Sequence, residues 1–168
     1  MTSLQILDTK EFMHHLLIAG TFDNFSLVEA DITTAFNTKI DGHLNSGFYS
    51  NEDELEALNL NNSTYMPWSA IKPFCYSIIK GKNTPLSFRI TLSLSNNSIC
   101  NVLNSGNFNL KPEDVKALLA NFKFNGKNII CTTATNLTVF TTDKSLDNEW
   151  DSLMLKFLKK HNIVSTQL

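Results

Sequence analysis

Residue types that mark several specialised classes of protein are scarce in this sequence. Only 3 of its 168 residues are cysteine, 6 are glycine and 4 are proline. These contents exclude a collagen-like repeat, a disordered low-complexity chain and a miniprotein held together by disulfides. With 42% apolar and 18% charged residues, we expect one globular domain over residues 1–168. A chain of this length can bury about two-thirds of its unfolded surface.

The cysteines Cys75, Cys100 and Cys131 are far apart and form no C-x-x-C pair. A zinc knuckle needs paired ligands at short spacing, and a closed disulfide framework needs an even number of cysteines. We therefore expect buried free thiols, with no metal and no cofactor.

Long hydrophobic runs are also missing, since none approaches the roughly 20 apolar residues of a membrane-spanning helix. The N-terminal residues Met-Thr-Ser-Leu-Gln-Ile-Leu-Asp do not combine a basic region with a long apolar one, as a secretory leader does. We expect a soluble cytoplasmic protein without a membrane partner.

Acidic residues are absent from the middle third of the chain, between Glu56 and Glu113. The net charge of −2, from 14 basic and 16 acidic side chains, is not the strongly basic balance of a dedicated nucleic-acid binder. The middle third is nevertheless cationic, which allows a positive patch after folding. Its basic residues are Lys72, Lys80, Lys82, Arg89 and Lys111.

The first part of the chain alternates between helical and strand periodicity. Asp8, with Glu11 three residues later, has the spacing of a capping box at a helix start. The predicted elements are a strand at 4–7, a helix from Asp8 to Gly20, two strands between 25 and 40, a hairpin turn at Asp41-Gly42 and a short strand at 43–44.

Helical periodicity returns between residues 50 and 80. Ser50 precedes three acidic residues, which favour a helix start, and residues 59–64 form an Asn-rich linker. Pro67 and Pro73 suit first-turn positions of a helix. We therefore predict a helical connection over 50–80.

The third part predicts a second group of strands followed by a helix. Alternation over residues 86–94 is the clearest in the chain and points Arg89 away from the core. The other predicted elements are a short helix at 99–103, a helix start at 112–114, strands at 118–124, 129–133 and 137–141, and a helix capped by Ser145 that covers 146–161.

The order strand, helix, strands thus occurs twice, over residues 3–49 and 86–142. We predict an α+β fold in which these two halves build antiparallel sheets and the helices pack on one side. The segment 50–80 would connect the halves.

Several short motifs resemble the signature stretches of an uncharacterised protein family of clostridial Gram-positive bacteria. The resemblance extends over nearly the whole chain and implies a recurring domain without a known activity. The motifs are Phe22-Asp23-Asn24-Phe25, Ile40-Asp41-Gly42, Pro73-Phe74-Cys75, Lys80-Gly81-Lys82-Asn83-Thr84-Pro85 and Asp143-Lys144-Ser145-Leu146.

A second, local resemblance concerns the turn Asn125-Gly126 and the strand that runs into residues 133–137. This stretch is similar to a strand-turn-strand of the bacterial DNA polymerase sliding clamp. That family has an Asp where this chain has Asn136, and often an acidic residue where it has Thr138. The resemblance implies a clamp-like fold and no catalytic site.

Two groups of residues are candidates for a site. Residues 81–84 follow a helix rather than a strand, so they are not a Walker A loop, and a helix C-cap explains them. Lys80, Lys82 and Arg89 nevertheless remain a candidate site for an anion such as the nucleic-acid backbone.

The second group is Glu29, Asp31 and Thr33, which share one strand face with carboxylates about 7 Å apart. His43 could approach them from a neighbouring strand. Either a hard-metal or acid/base site or a solvated strand surface fits this pattern. The adjacent His14 and His15 diverge by about 100° on a helix and do not chelate together.

No recognisable catalytic motif is present. The leading interpretation is a non-enzymatic binding or scaffold protein, with nucleic acid or another protein as its partner. A small enzyme that uses Glu29 and Asp31 and a homo-oligomer assembled through sheet edges are the alternatives.

Overall fold

The computed structural model describes residues 1–168 and shows an open sheet of seven strands with five α-helices. The predicted α+β class is confirmed. The strands are β1 (Ser3–Ile6), β2 (Phe25–Thr33), β3 (Asn37–Asp41), β4 (Ser87–Leu94), β5 (Val115–Phe124), β6 (Ile129–Leu137) and β7 (Ser165–Gln167). The helices are α1 (Thr9–Leu17), α2 (Glu52–Ala57), α3 (Trp68–Ile79), α4 (Asn96–Ser105) and α5 (Ser145–Lys160).

The strands lie in the order β3-β2-β4-β5-β6-β1-β7, and each neighbouring pair is antiparallel. Strands β2, β4, β5 and β6 are 8 to 10 residues long, whereas the edge strands β3 and β7 have 5 and 3 residues. Short edges limit the unpaired backbone that the sheet offers to other chains.

One face of the sheet is apolar because buried residues stand in register across neighbouring strands. The row that crosses five strands is at most 2% exposed. Side chains alternate between the two faces of a strand, so the residues beside this row point to the opposite, solvated face. The row consists of Ala30, Ile90, Phe122, Cys131 and Leu4.

Helices α1, α3 and α5 cover the apolar face. The ring of Phe12 on α1 lies 5.0 Å from that of Phe122 on β5, and Phe157 on α5 lies 5.5 Å from Phe25 on β2. The buried indole N–H of Trp68 on α3 donates to the carbonyl of Leu16 on α1, at 2.8 Å. For these three helices the prediction that the helices pack on one side is confirmed.

Helix α5 is fixed to β6 by polar contacts as well as apolar ones. The hydroxyls of Thr133 and Thr135 donate to the carboxylates of Asp151 and Asp147, which are one helical turn apart. Burial raises the pKa of Asp147, but hydrogen bonds from Thr135 and Lys144 and the Lys144 charge outweigh it, so that the pKa lies below its usual value. The carboxylate is therefore the stable form in this contact.

The two predicted halves share an order of elements, since β1-α1-β2-β3 is followed by β4-α4-β5-β6. Their pairings differ. β4 lies between β2 and β5, whereas β1 lies between β6 and β7 on the far side of the sheet. The two halves therefore build one continuous sheet. The hairpin β2-β3 of the first half has its counterpart in β5-β6 of the second. The first strands differ, because β4 pairs with a strand of its own half and β1 does not.

The segment 50–80 contains two separate helices, α2 and α3, on either side of the Asn-rich linker, but two details of the prediction need correction. Asn51, not Ser50, caps α2, and its side-chain oxygen accepts from the amide of Glu54 at 2.9 Å. Pro73 lies inside α3 rather than in its first turn, where proline removes one helical N–H donor.

Several predicted boundaries were also wrong. Residues 112–114 form a single 3-10 turn before β5 instead of starting a helix. One unbroken strand, β6, replaces the two strands predicted at 129–133 and 137–141, and it ends at Leu137. Ser145 is the first residue of α5, and its amide donates to the side chain of Asp143 at 2.9 Å. Strand β7 was not predicted.

The chain around Gly42 is not the predicted hairpin turn. It continues from β3 and pairs with residues 64–66, through an isolated bridge between His43 and Tyr65. The amide of Gly42 donates to the carbonyl of Val28 at 2.9 Å. A Cβ atom on Gly42 would lie 1.8 Å from the backbone oxygen of Leu27, so this close approach of two backbones requires glycine.

Cys75 and Cys131 are buried and Cys100 is half-buried, all as free thiols. Burial raises the pKa of Cys75 to about 11 and that of Cys131 to about 12. Both thiols are therefore protonated at neutral pH, and a protonated thiol is a poor nucleophile and metal ligand. None of the helices has the length and apolar character needed to cross a bilayer.

His161 follows the last turn of α5 and contacts α1. Its ring lies 4.7 Å from that of Phe157 and 6.4 Å from that of His15. Burial, and then the charges of Lys160 and His15, lower the pKa of His161 from the usual 6.5. The folded state therefore binds this proton less tightly than the unfolded state does.

Gly42→Ala should destabilise the fold by about 1–3 kcal/mol, because the new methyl group overlaps a backbone oxygen that cannot move freely. The measurement is urea unfolding followed by circular dichroism. Gly47→Ala is the matched control, since a Cβ at Gly47 would have no atom within 4 Å. Equal midpoints for the two variants would contradict this account of Gly42.

Stability should fall as the pH drops from 7.5 through the usual histidine pKa, because the unfolded chain takes up the His161 proton first. His161→Gln should flatten this part of the curve of unfolding free energy against pH. The exposed His14→Gln is the control and should leave the slope near that of the parent. A slope that His161→Gln does not change would assign the pH dependence to other groups.

Candidate functional site

Two grooves bring together the residues that the sequence singles out. The first, here called the polar-face groove, lies on the solvated face of β2, β3 and β4 and has a volume of about 550 Å³. Its charged lining residues are Glu29, Asp31, Lys39, Asp41 and Arg89.

Cross-strand register explains the charges of the polar-face groove. Asp31 stands between Lys39 on β3 and Arg89 on β4, and Glu29 stands beside Asp41. The ammonium of Lys39 lies 3.8 Å from the Asp31 carboxylate, and the Arg89 guanidinium lies 3.6 Å from that of Glu29. Acidic and basic groups alternate across the row of Asp31, whereas Glu29 and Asp41 are neighbouring acids. The ion pairs contribute little stability because water screens them.

The candidate group of Glu29, Asp31 and His43 does not form a metal cluster. No set of three or more His, Cys, Asp or Glu side chains in the chain is arranged to hold a metal ion. The imidazole of His43 lies edge-on to the Tyr65 ring, with centroids 5.9 Å apart, and its backbone amide donates to Asp41 at 2.9 Å.

The second groove, here called the basic-rimmed groove, has a volume of about 510 Å³. It lies between α1, the C-terminal end of α3 and the ends of β4 and β5. Its floor is apolar, because the rings of Phe88 and Phe124 stack there with centroids 5.3 Å apart. Its lining includes Lys10, His14, Leu17, Lys80, Phe88 and Phe124.

The charge of the basic-rimmed groove has one sign. Lys10, His14 and Lys80 line it, and no acidic residue does. The Lys80 ammonium lies 5.9 Å from the centre of the Tyr76 ring, a contact that holds the charge at the rim. An apolar floor beneath cationic groups suits a ligand that has both an apolar part and a negative charge.

Local sequence explains why these residues meet. Lys10, Met13, His14 and Leu17 follow the i, i+3, i+4, i+7 spacing that places side chains along one face of α1. At the end of α3, Gly81 has φ +144°, which glycine adopts without the strain of other residues. The chain can therefore turn there and enter β4 beside the groove.

The structure brings only part of the predicted anion-binding group together. Lys80 lines the basic-rimmed groove, and Lys82 lies exposed between two of its lining residues, Gly81 and Asn83. Arg89 lies on the opposite face of the sheet, because Phe88 next to it points into the basic-rimmed groove. Anion binding at these lysines stays a prediction.

Sequence reasoning did not identify Lys10 and His14 as part of this surface. The signal was present in the shared helix face of α1, but it says nothing about which neighbour that face meets. Only the packing of α1 beside α3 and the ends of β4 and β5 reveals the groove.

Comparison with known proteins gives a family without an assigned activity. A family model described as "Family of unknown function (DUF5721)" matches residues 15–165. No curated protein and no solved structure matches the chain. The matched range includes the whole polar-face groove, whereas four lining residues of the basic-rimmed groove, Thr9, Lys10, Met13 and His14, precede it.

Proposed function

The chain belongs to the DUF5721 family of unknown function, and from that premise we propose that it is a non-enzymatic binding protein. Its binding surface is the basic-rimmed groove, and its ligand is an anion with an apolar portion. The observation that carries the proposal is the combination of an apolar floor with exclusively cationic charged residues at the rim. A cytoplasmic setting is part of this proposal.

The size of the groove supports a small ligand or a short segment of a larger one. Its volume of about 510 Å³ falls within the range of roughly 300–1,000 Å³ that is typical of ligand sites. Phe88 and Phe124 are themselves only 3% and 4% exposed, so a ligand would bury its apolar surface mainly against Met13, Ile18 and Ile79, at about 25 cal/mol per Å². Lys10 and Lys80 add attraction for a negative group and reject cations.

The polar-face groove supports an enzyme less well. Its carboxylates Glu29 and Asp31 face the oppositely charged Arg89 and Lys39, and such pairing favours a solvated surface. An acid/base pair would instead need two groups in different environments that separate their pKa values.

Nucleic acid is the second candidate ligand, and it is supported by Lys80 and Lys82 in one turn at the rim. Two further observations favour the smaller ligand. The apolar floor offers nothing to a phosphate backbone, and Arg89 lies on the other face of the sheet and pairs with Glu29.

The proposal predicts saturable binding of 8-anilinonaphthalene-1-sulfonate, an aromatic sulfonate with both required properties, as measured by its fluorescence. Lys10→Gln/Lys80→Gln should weaken binding about tenfold, because two exposed charges that contribute roughly 0.7 kcal/mol each are lost. High salt should weaken the parent in the same direction.

Lys111→Gln/Lys116→Gln is the matched control, because it removes the same charge at the opposite end of β5 from Phe124. Near-UV circular dichroism must show native packing in each variant, since loosely folded proteins also bind this dye. Equal affinity for the parent and Lys10→Gln/Lys80→Gln would overturn the proposed site. Groove-dependent binding of a labelled single-stranded DNA, without dye binding, would favour the nucleic-acid function instead.

A further inference from the structure

We propose that the basic-rimmed groove of one copy of the chain binds residues 48–58 of a second copy, so that the protein self-associates head to tail. These residues are called the acidic segment below, and they contain α2. The inference rests on the proposed function, because it names the anionic, partly apolar ligand of that same groove.

The acidic segment has the charge that the groove lacks. It contains four carboxylates and no basic residue, and no lysine or arginine occurs between Lys39 and Lys72. The groove has basic residues in its lining and no acidic ones. Opposite charges of this kind direct association and oppose the docking of either surface on itself. The carboxylates belong to Glu52, Asp53, Glu54 and Glu56.

The acidic segment also carries apolar surface that its own copy leaves uncovered. Phe48 is 84% exposed and Leu58 is 52% exposed, and α2 contains no buried residue. A helix of this kind is not formed by packing against the core, which is the usual source of helix stability. Its exposed apolar groups match the apolar floor of the groove.

Local hydrogen bonds hold the acidic segment in shape before it binds. The amide of Glu54 donates to the side chain of Asn51 at 2.9 Å, and the carboxylate of Glu54 accepts from the amide of Ser50 at 2.9 Å. Leu60, which is 4% exposed, anchors the chain just beyond the segment. A segment that is already ordered loses less conformational entropy on docking.

The geometry of such a contact is heterologous, because the two surfaces are different parts of the chain. After the first contact one copy keeps a free acidic segment and the other keeps a free groove, so assembly continues into a ring or an open filament. This differs from pairing through the sheet edges, which would use β3 or β7 and would not depend on the lysines of the groove.

Sedimentation velocity from low to high micromolar concentration tests the inference with the full chain. The parent should form species larger than a monomer, and raised salt should dissociate them. Lys10→Gln/Lys80→Gln alters the groove, and Glu52→Gln/Glu56→Gln alters the acidic segment. Each variant alone should remain monomeric, with a dissociation constant raised by about tenfold or more.

An equimolar mixture of the two variants should form a one-to-one complex that does not grow. The first variant still has an acidic segment and the second still has a groove, so they can make one contact and no more. Phe48→Ser, which keeps every charge, should also weaken assembly of the parent. Circular dichroism confirms that each variant is folded.

A parent that stays monomeric, or an assembly that these variants leave unchanged, overturns the inference. Dye binding in the groove of a monomeric parent overturns the inference and leaves the proposed function standing. A parent that neither binds the dye nor self-associates overturns the inference and the proposed function together.

Discussion

The fold depends on a sheet that is apolar on one face only. The row from Ala30 through Phe122 to Leu4 must be shielded from water, and α1, α3 and α5 have to lie over it. The contact between Phe12 and Phe122, with ring centroids 5.0 Å apart, fixes α1 against the sheet. The groove lies where α1 and the C-terminal end of α3 meet the ends of β4 and β5.

The sequence predicts those elements whose periodicity is long and regular. Strand β4, the outward direction of Arg89 and helix α1 with its Asp8 cap all follow from local patterns that the structure confirms. Pairing partners could not be predicted, because the neighbours of β1 lie more than a hundred residues away. Strand β7 has 3 residues, too few for any periodicity to appear.

The candidate site was predictable only in part, for a similar reason. Lys80 and Lys82 are close in sequence, so their proximity to each other follows from the chain itself. Arg89 was grouped with them through sequence distance alone, yet strand alternation places it on the other face of the sheet. Lys10 and His14 reach the groove through helix packing, which no local pattern encodes.

Helix α1 links two features that are otherwise separate. One side of it carries His15, whose ring lies 6.4 Å from that of His161, and another side carries Lys10 and Leu17 of the groove wall. Proton uptake at His161 and occupancy of the groove therefore act on the same helix. Thermodynamic linkage makes any coupling between them reciprocal: if proton uptake at His161 loosens the packing of α1, an occupant that steadies α1 lowers the proton affinity of that imidazole by the same factor.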